Sequence, residues 1–415
     1  MSSCPVNHGA ELGYSPYDLS NPFPAYAKLR EEAPVYFDER IGYWVVARYN
    51  DVREVFDNWE TFSSANAQAP VRPLCDRAKA VMDEGNFTAY SGLSARIPPE
   101  HTRIRGVISK AFTPRRYKVL EPAIRETVNS MIDNLEKEIA TNGSADFVRV
   151  LAYDLPAITI MTLLGADLEK ILKVKRWSES RALLTWGDLS DDEQVERCAD
   201  MVEYWAFCQS LVTEAHKNHP DTLVGDLVRL QEAGEEITDH EIASFCYSAL
   251  FAGHETTTTL ISNAARELLG HHEAWDALHA DAAKIPNAIE EVLRTAPSIV
   301  GWRRLAMKDA QVGGVDIKAG DGLLLLMGSA NRDLAVFEDP DEFNIERPNA
   351  RSHMAFGYGI HFCLGNHLAK LQARIALEEL THRLPHLQLT AEPTAGWVPN
   401  ISFRVPTTVF VTQGV

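Results

Sequence analysis

The pattern of apolar and polar positions along the chain predicts more helix than strand. Apolar and β-branched residues from Pro34 to Phe37 and from Tyr43 to Ala47 predict two strands, with Gly42 in the turn between them. From residue 101 to residue 269 the apolar positions recur mostly at helical spacing. We therefore expect a mainly α-helical fold with small β-sheets.

One predicted helix is unusually long and apolar. Thr238 and Glu241 form the capping-box pattern that begins a helix, and Ile237 and Ile242 are spaced to pack against each other at that end. Gly270 is typical of the residue at which a helix stops. A helix of about 30 residues is roughly 45 Å long. Because it is too apolar for the surface, we expect it to cross the core.

The other elements follow from proline and glycine positions. Residues 62–99 are rich in both and are predicted to be irregular, and a loop of that length is usually functional. The remaining predictions are a helix after Pro286 that ends before Pro297, short strands within 310–327, and a last helix from about Asn366 to Leu384. No linker or repeat divides the chain, so we expect one domain, 14–415, preceded by a mobile arm, 1–13.

The charge and composition of the chain argue against nucleic-acid-binding and membrane-associated functions. The chain has 415 residues and a net charge of −18, from 40 basic and 58 acidic residues. An acidic chain is a poor candidate for neutralising a nucleic-acid backbone, and it repels anionic membranes. The apolar runs are too short to span a bilayer. The first residues lack the pattern of a signal peptide, so we expect a cytoplasmic location.

Of six scattered cysteines, Cys363 alone has a context that indicates chemistry. It lies in a ten-residue segment with three glycines, Phe356 to Gly365, directly before the last helix. Glycines allow tight turns and close approach to a bulky group, and a helix N-terminus favours a thiolate, which ferric haem accepts as an axial ligand. A buried structural cysteine and a zinc site at His361, Cys363 and His367 remain alternatives.

Four residues of this segment carry a family resemblance. Phe356, Gly359, Cys363 and Gly365 match the pattern Phe-x-x-Gly-x-x-x-Cys-x-Gly, which resembles the haem-binding signature of cytochromes P450. The resemblance implies haem b as the cofactor, Cys363 as the axial ligand to iron, and Phe356 beside the sulfur. It also implies the cytochrome P450 fold, with the long central helix over the haem.

The middle of the long helix contains residues that a core helix would not select for stability. Gly253 in a helix interior costs about 1 kcal/mol relative to alanine, and four threonines follow Glu255. The run from Ala252 to Thr256 resembles the family's Ala-Gly-x-Glu/Asp-Thr motif. This implies that Ala252 and Gly253 lie at the haem with room for dioxygen, that Thr256 donates a hydrogen bond during oxygen activation, and that Glu255 relays protons. The alternative is that Thr256 bonds to a carbonyl one turn earlier and Glu255 is a surface charge.

Other charged residues match the family's structural and propionate-binding positions. Glu291 and Arg294 stand three apart on one helix, and with Arg347 they resemble the family's structural cluster behind the haem. The resemblance also implies that four cationic side chains neutralise the haem propionates: His101, Arg105, Arg304 and His361. Arg103 and Arg303 are expected to be solvated charges.

The resemblance implies that residues from four segments line the substrate site. These residues are apolar and aromatic, and such a lining suits a small hydrophobic or aromatic molecule. The expected lining residues are Met82, Phe87, Leu183, Leu184, Trp186, Ile299, Val300, Ile401 and Phe403.

The chain resembles most the haem domains of bacterial self-sufficient cytochromes P450 that carry a phthalate-dioxygenase-type reductase. Since this sequence has no flavin, NAD or iron–sulfur fingerprint, we expect a separate ferredoxin and an NAD(P)H-dependent ferredoxin reductase. Lys110, Arg115 and Arg116 form the expected docking patch for an acidic ferredoxin. The resemblance thus implies a monooxygenase that hydroxylates or dealkylates its substrate with dioxygen. A peroxide-driven enzyme and a haem-based sensor or binding protein remain alternatives.

Overall fold

Helices make up most of the regular structure in residues 8–90 and 92–414, which the computed structural model of the protein describes. The helices are α1 (His8–Glu11), α2 (Phe23–Glu32), α3 (Tyr49–Asp57), α4 (Asp76–Glu84), α5 (Glu100–Ala111), α6 (Pro114–Lys118), α7 (Glu121–Asn142), α8 (Leu155–Leu164), α9 (Ile171–Trp186), α10 (Asp191–Asn218), α11 (Leu223–Glu232), α12 (Asp239–Gly270), α13 (His272–Ala280), α14 (Ile285–Thr295), α15 (Met327–Ala330) and α16 (Asn366–Arg383). The strands are β1 (Val35–Asp38), β2 (Tyr43–Val46), β3 (Phe62–Ser63), β4 (Ala145–Asp146), β5 (Trp302–Ala306), β6 (Ala310–Val312), β7 (Val315–Ile317), β8 (Gly322–Leu325), β9 (Leu387–Leu389) and β10 (Phe410–Gln413). The mainly α-helical fold with small sheets is confirmed.

Contacts divide the chain into two units. The sheet unit comprises the described residues up to Ala67, together with Arg125–Tyr153 and the residues from Thr256 onward. The helical unit comprises Gln68–Ile124 and Asp154–Glu255. The prediction of a single domain, 14–415, stays a prediction. Of the expected arm, residues 1–7 lie outside the described residues, and residues 8–13 include α1.

Helix α12 begins with the predicted cap. The Thr238 hydroxyl accepts a hydrogen bond from the Glu241 N–H at 3.2 Å, and the Glu241 carboxylate accepts one from the Thr238 N–H at 2.9 Å. Ile237 and Ile242 are both buried. These reciprocal bonds satisfy N–H groups that a helix start leaves without partners. The helix then continues for 32 residues to Gly270, so both predicted ends are confirmed.

The largest sheet lies in the sheet unit and has the strand order β1-β2-β8-β5-β3. Strands β1 and β2 are antiparallel, with Val35 opposite Val46, and they confirm the two strands predicted from the first apolar runs. Strand β2 pairs in parallel with β8. Buried residues from this sheet pack with Phe337 and Met354 in one apolar core. This core lies directly under the segment that leads to Cys363.

The prediction that residues 62–99 are irregular is wrong for two stretches. Strand β3 pairs with β5, and α4 forms a helix of nine residues. Only Ala78 of α4 is buried, so its sequence carries almost no apolar periodicity. Tertiary contacts stabilise it instead: the Cys75 N–H donates to the Gln194 side chain at 2.8 Å, and Gly85 lies so close to Val202 that a Cβ would overlap with it.

A fully buried ionic cluster joins α14 to the chain that precedes the Cys363 loop. The Arg294 guanidinium donates two hydrogen bonds to the Glu291 carboxylate, at 2.7 and 2.8 Å, and Arg347 donates a third at 3.1 Å. Arg294 also binds the carbonyls of Asn331 and Pro340. The structure therefore brings together the three residues that the sequence assigned to a structural role.

Replacing Glu291 by glutamine should destabilise the protein strongly. The change removes the negative charge between two buried guanidinium groups, and an uncompensated buried charge costs about 3–5 kcal/mol. The free energy of unfolding, measured by chemical denaturation, checks this. Glu346→Gln is the control, because Glu346 pairs with Lys284 at an exposed position and exposed pairs contribute little. An unfolding midpoint equal to that of the parent would contradict the role assigned to Glu291.

Candidate active site

The loop before α16 holds Cys363 in a conformation that requires glycine. Gly357 and Gly359 both have φ of +71°, a left-handed conformation that other residues rarely adopt. A Cβ on Gly359 would lie 3.1 Å from the Phe56 carbonyl oxygen. The Cys363 N–H donates to the Phe356 carbonyl at 3.0 Å. The backbone therefore folds back on itself immediately before the cysteine.

Cys363 lies just before the N-terminus of α16. The helix begins at Asn366, whose side-chain amide donates to the Cys363 carbonyl at 2.8 Å. Helix N-termini favour negative charge, and so an anionic sulfur. The rings of Phe356 and Phe362 meet edge to face, 6.3 Å apart. No three His, Cys, Asp or Glu side chains of residues 8–90 and 92–414 are grouped as metal ligands, so the zinc alternative is not supported.

On α12, Glu255 is partly buried rather than a free surface charge. Its side chain is 21 % exposed, and one carboxylate oxygen lies 3.1 Å from Nε2 of His254. Burial lowers the pKa of Lys175, in the same unit, to about 8, and the negative charge of Glu255 acts in the opposite direction. Lys175 in turn contacts Asp154, which is half exposed.

Gly253 and Thr256 are unusual residues for the interior of a core helix, and each has a close contact with another element. A Cβ on Gly253 would lie 2.6 Å from Cγ1 of Ile160. The missing side chain therefore allows α8 to pack closely against α12. This packing role is independent of the oxygen-binding role that the resemblance implies for Gly253. In the sheet unit, the Ser298 hydroxyl donates to the Thr256 carbonyl at 2.7 Å, which holds the backbone of this residue in place.

Arg304 is a buried cation whose environment fits a negatively charged ligand. Its side chain is 1 % exposed, and within the described residues its guanidinium makes a single hydrogen bond, to the Arg303 carbonyl at 2.8 Å. The guanidinium lies 4.8 Å from the centre of the Phe56 ring. Desolvation lowers the pKa of Arg304 to about 9. No described carboxylate pairs with it, so the site fits a propionate.

Of the other three residues expected at the propionates, two lie in the helical unit and one lies in the sheet unit. His101 and Arg105 lie one turn apart on α5 in the helical unit, with His101 buried and Arg105 half-buried. Burial and, to a smaller extent, the positive charge of Arg105 together lower the pKa of His101 to about 4. His101 is therefore neutral at pH 7. His361 lies in the sheet unit, half-buried, two residues before Cys363.

The expected substrate-lining residues form two groups. In the helical unit, Trp186 stacks on Phe251 with ring centres 5.7 Å apart, and Phe87 meets Tyr247 edge to face at 5.8 Å. Leu183 and Leu184 lie on α9 beside Trp186, and Met82 is half-buried on α4. In the sheet unit, Ile299 pairs with Phe403, and the Val300 N–H donates to the Ser402 carbonyl, with Ile401 buried alongside.

Two expectations about surface charge are corrected. Arg303 is fully buried rather than solvated, since β5 places it inward, where it donates to the Tyr43 hydroxyl and the Ala67 carbonyl. Arg103 is partly exposed and pairs with Glu241.

The expected basic patch is also largely neutralised within the helical unit. Lys110 contacts Glu235, and Arg116 contacts both Asp221 and Asp226. Distant acidic residues that the sequence could not place thus cancel two of its three charges, and Arg115 alone remains exposed without an ion pair among the described residues.

Sequence reasoning missed two buried cations of α9, Lys175 and Arg181. Both are buried, although each stands in a helix that was read for its apolar residues. The sequence feature that could have revealed them is a charged residue among the apolar residues of a helix expected to line the substrate site. Lys175 contacts Asp154, and Arg181 lies against the rings of Tyr247 and Phe251.

Comparisons with known proteins agree with one another. A family model described as Cytochrome P450 matches residues 200–394. Erythromycin C-12 hydroxylase of Saccharopolyspora erythraea is 36 % identical over 361 residues, which cover 86 % of this chain and 86 % of that protein.

Two solved structures are similar over nearly the whole chain. Cytochrome P450 CREJ in complex with (4-ethylphenyl) dihydrogen phosphate has 61 % identity and a TM-score of 0.94, covering 97 % of this chain and 99 % of that one. An intact type IV self-sufficient cytochrome P450 monooxygenase has 33 % identity and a TM-score of 0.91, covering 96 % of this chain and 52 % of that one. The likeness to self-sufficient haem domains is thus present, at lower identity than the likeness to CREJ.

Within residues 8–90 and 92–414, no helix combines the length and the apolar character needed to cross a membrane.

The lowered pKa of His101 predicts a pH dependence of stability in the cofactor-free protein. An unfolded histidine has a pKa of about 6.5, whereas that of His101 is about 4. Between these values the unfolded chain binds more protons than the folded one, so stability falls as pH drops from about 6.5 to 4. At 1.36 kcal/mol per unit the full loss is at most about 3 kcal/mol, and screening by solvent reduces it.

His101→Gln should remove this contribution, which denaturation at pH 7 and pH 4 measures. His272→Gln, at an exposed position, is the matched control. An equal loss of stability in the parent and in His101→Gln would show that His101 is not responsible.

Proposed function

The chain belongs to the cytochrome P450 family, whose cofactor is haem b, and we propose that it is a haem-thiolate monooxygenase with Cys363 as the axial ligand. The observation that carries the proposal is the Cys363 loop. Two left-handed glycines turn the backbone there, and the N-terminus of α16 follows, where an anionic sulfur is favoured. When bound, the haem supplies the redox chemistry that activates dioxygen.

We propose that four side chains hold the haem propionates: His101, Arg105, Arg304 and His361. Arg304 supports this best, because a buried guanidinium without a described carboxylate partner is stabilised when a ligand brings the negative charge. His101 is neutral at pH 7 and so acts as a hydrogen-bond donor rather than as a cation.

Glu255 and Thr256 are proposed to move protons to the reaction site. Glu255 is partly buried and close to His254 and Lys175, so its carboxylate can exchange protons with neighbours inside the protein. Lys175 contacts the half-exposed Asp154, which supports a route from the surface to Glu255. The Thr256 hydroxyl is proposed as the final donor, with its backbone held by Ser298. Ala252 and Gly253 are proposed to flank the haem on the same turn.

The proposed substrate is a small alkyl-substituted aromatic molecule, which is hydroxylated or dealkylated. The 61 %-identical structure contains (4-ethylphenyl) dihydrogen phosphate, an aromatic ring with a short alkyl group and a phosphate. We propose that this chain accepts aryl phosphate monoesters of the same size. Aromatic side chains at the expected lining positions, Phe87, Trp186 and Phe403, support a flat apolar ligand.

We propose that a separate ferredoxin and an NAD(P)H-dependent reductase supply the two electrons. The support is that residues 1–415 contain no flavin, NAD or iron–sulfur fingerprint. Docking is not proposed at Lys110 and Arg116, since acidic residues neutralise both. The acid–alcohol pair of Glu255 and Thr256 favours dioxygen over the peroxide-driven and sensor alternatives, which have no use for a proton relay.

Replacing Cys363 by alanine should abolish the absorbance band of the reduced carbon monoxide complex that is typical of a thiolate ligand. Cys363→His should shift this band rather than retain it, because imidazole donates less charge to iron. Cys246→Ala is the matched control, since Cys246 is a buried cysteine on α12, and it should keep the band. A thiolate band that survives in Cys363→Ala would disprove the proposed ligand.

Replacing Thr256 by alanine should separate oxygen activation from substrate binding. Substrate should still shift the haem absorbance, whereas product formed per NADH should fall and hydrogen peroxide should rise, measured with a surrogate ferredoxin and reductase. Loss of one positioned proton donor typically costs about 10²–10⁴-fold in rate, which gives the upper range of the effect. Thr257→Ala, at the neighbouring buried position, is the control. Unchanged coupling in Thr256→Ala would exclude Thr256 from the mechanism.

A further inference from the structure

Arg181 is a buried cation on α9 whose described partners are all neutral. Its side chain is 3 % exposed. One terminal nitrogen donates to the Tyr247 carbonyl at 2.6 Å, and the other donates to Oε1 of Gln68 at 3.2 Å. The guanidinium carbon lies 4.2 Å from the ring centre of Tyr247 and 4.9 Å from that of Phe251. Within residues 8–90 and 92–414, no carboxylate forms an ion pair with it.

A buried charge without a counter-ion is costly, and a bound anion supplies the charge that is missing. The other buried cation of the same helix shows the contrast. Lys175 contacts Asp154 and is close to Glu255, so its charge is compensated within the helical unit. Arg181 remains uncompensated, and only two of its five N–H donors bind the oxygens named above.

Other polar groups lie around Arg181. The Gln68 amide that accepts from Arg181 donates in turn to the Ser94 hydroxyl at 3.0 Å. Gly92, with φ of +65°, brings its backbone so close to Ser248 that a Cβ would lie 2.1 Å from the Ser248 hydroxyl oxygen. That oxygen is buried and has no described hydrogen-bond partner. Gln68 thus links Arg181 to Ser94, and Ser248 follows Tyr247, the residue whose carbonyl binds Arg181.

Aromatic surface adjoins the same cation. Arg181 lies over the ring of Phe251, and Phe251 stacks on Trp186 with an interplanar angle of 14°. Phe87 packs against Tyr247, the other ring that Arg181 covers. This part of the helical unit therefore places aromatic rings beside a guanidinium, the two kinds of group that recognise a phosphorylated aromatic ring.

We propose that Arg181, with Gln68 and Ser94, binds the phosphate of an aryl phosphate substrate and so sets the preference for the ester over the free phenol. The inference rests on the proposed function and names the residues that recognise its substrate class. A guanidinium matches the geometry of phosphate oxygens by parallel N–H donors. The same residue in a purely structural role would join α9 to α12 and would not distinguish the two ligands.

The test compares two ligands on the haem-loaded protein, (4-ethylphenyl) dihydrogen phosphate and 4-ethylphenol, by the substrate-induced shift of haem absorbance. Arg181→Gln should weaken binding of the ester about 10- to 100-fold, as expected for loss of hydrogen bonds to a charged group. Binding of the phenol should change less than about threefold. Arg181→Lys, which keeps the charge but loses the paired donors, should fall between the parent and Arg181→Gln. Inorganic phosphate should compete with the ester in the parent only.

Arg176→Gln is the matched control, because Arg176 lies on the same helix but is exposed and pairs with Asp200. It should bind both ligands as the parent does. Equal weakening of ester and phenol in Arg181→Gln, or no weakening of either, would overturn the anion site. So would a parent protein that binds the phenol but not the ester.

A separate measurement distinguishes failure of the proposed function from failure of this site. If the parent lacks the thiolate-type absorbance band, the proposed function fails. Calorimetric titration of the ester into the parent and Arg181→Gln then still decides the anion site, because heat of binding does not depend on the haem signal. Equal affinities there would overturn it, and a 10-fold difference would support it.

Discussion

The ionic cluster around Glu291 is the interaction on which the reaction centre depends most. One carboxylate binds two guanidinium groups, from Arg294 and Arg347, at positions from which water is excluded. Arg294 extends the cluster to the carbonyl of Asn331, and the Asn331 side chain accepts the Met354 N–H at 2.7 Å. Separating the partners of a buried ion pair leaves an uncompensated charge, which is strongly destabilising. The cluster therefore fixes α14 against the chain that enters the Cys363 loop.

Two further buried cations differ from those of the Glu291 cluster, because no described carboxylate compensates their charge. Arg304 in the sheet unit lies over the Phe56 ring, and Arg181 in the helical unit lies over the rings of Tyr247 and Phe251. Both are buried and donate to neutral oxygens, and no described carboxylate pairs with either. Folding alone gains little from such groups, because desolvation of the charge is not repaid within the protein. Binding of an anion removes that deficit. We interpret them as two halves of ligand recognition, one for the cofactor and one for the substrate.

In the centre of α12, a residue that allows close helix packing and a residue proposed to transfer protons lie within one turn. Gly253 allows close contact with Ile160, whereas Glu255, two residues later, places a partly buried carboxylate 3.1 Å from Nε2 of His254. Both residues are unfavourable in an ordinary core helix. The long apolar remainder of α12 and its capped start at Thr238 stabilise the helix enough to tolerate them. Departures from local rules of this kind are expected where function is located.

The sequence by itself determined the features that depend on local pattern: the capped start of α12, the first two strands, and the glycine-framed cysteine before a helix. Those signals lie within a few residues of one another, so periodicity and capping residues reveal them. Only the tertiary structure decided which charges are buried and which are paired. The acids that neutralise Lys110 and Arg116 lie about a hundred residues away in the chain, and the isolation of Arg181 results from long-range packing. Such partners are brought together by the fold, and no local pattern records them.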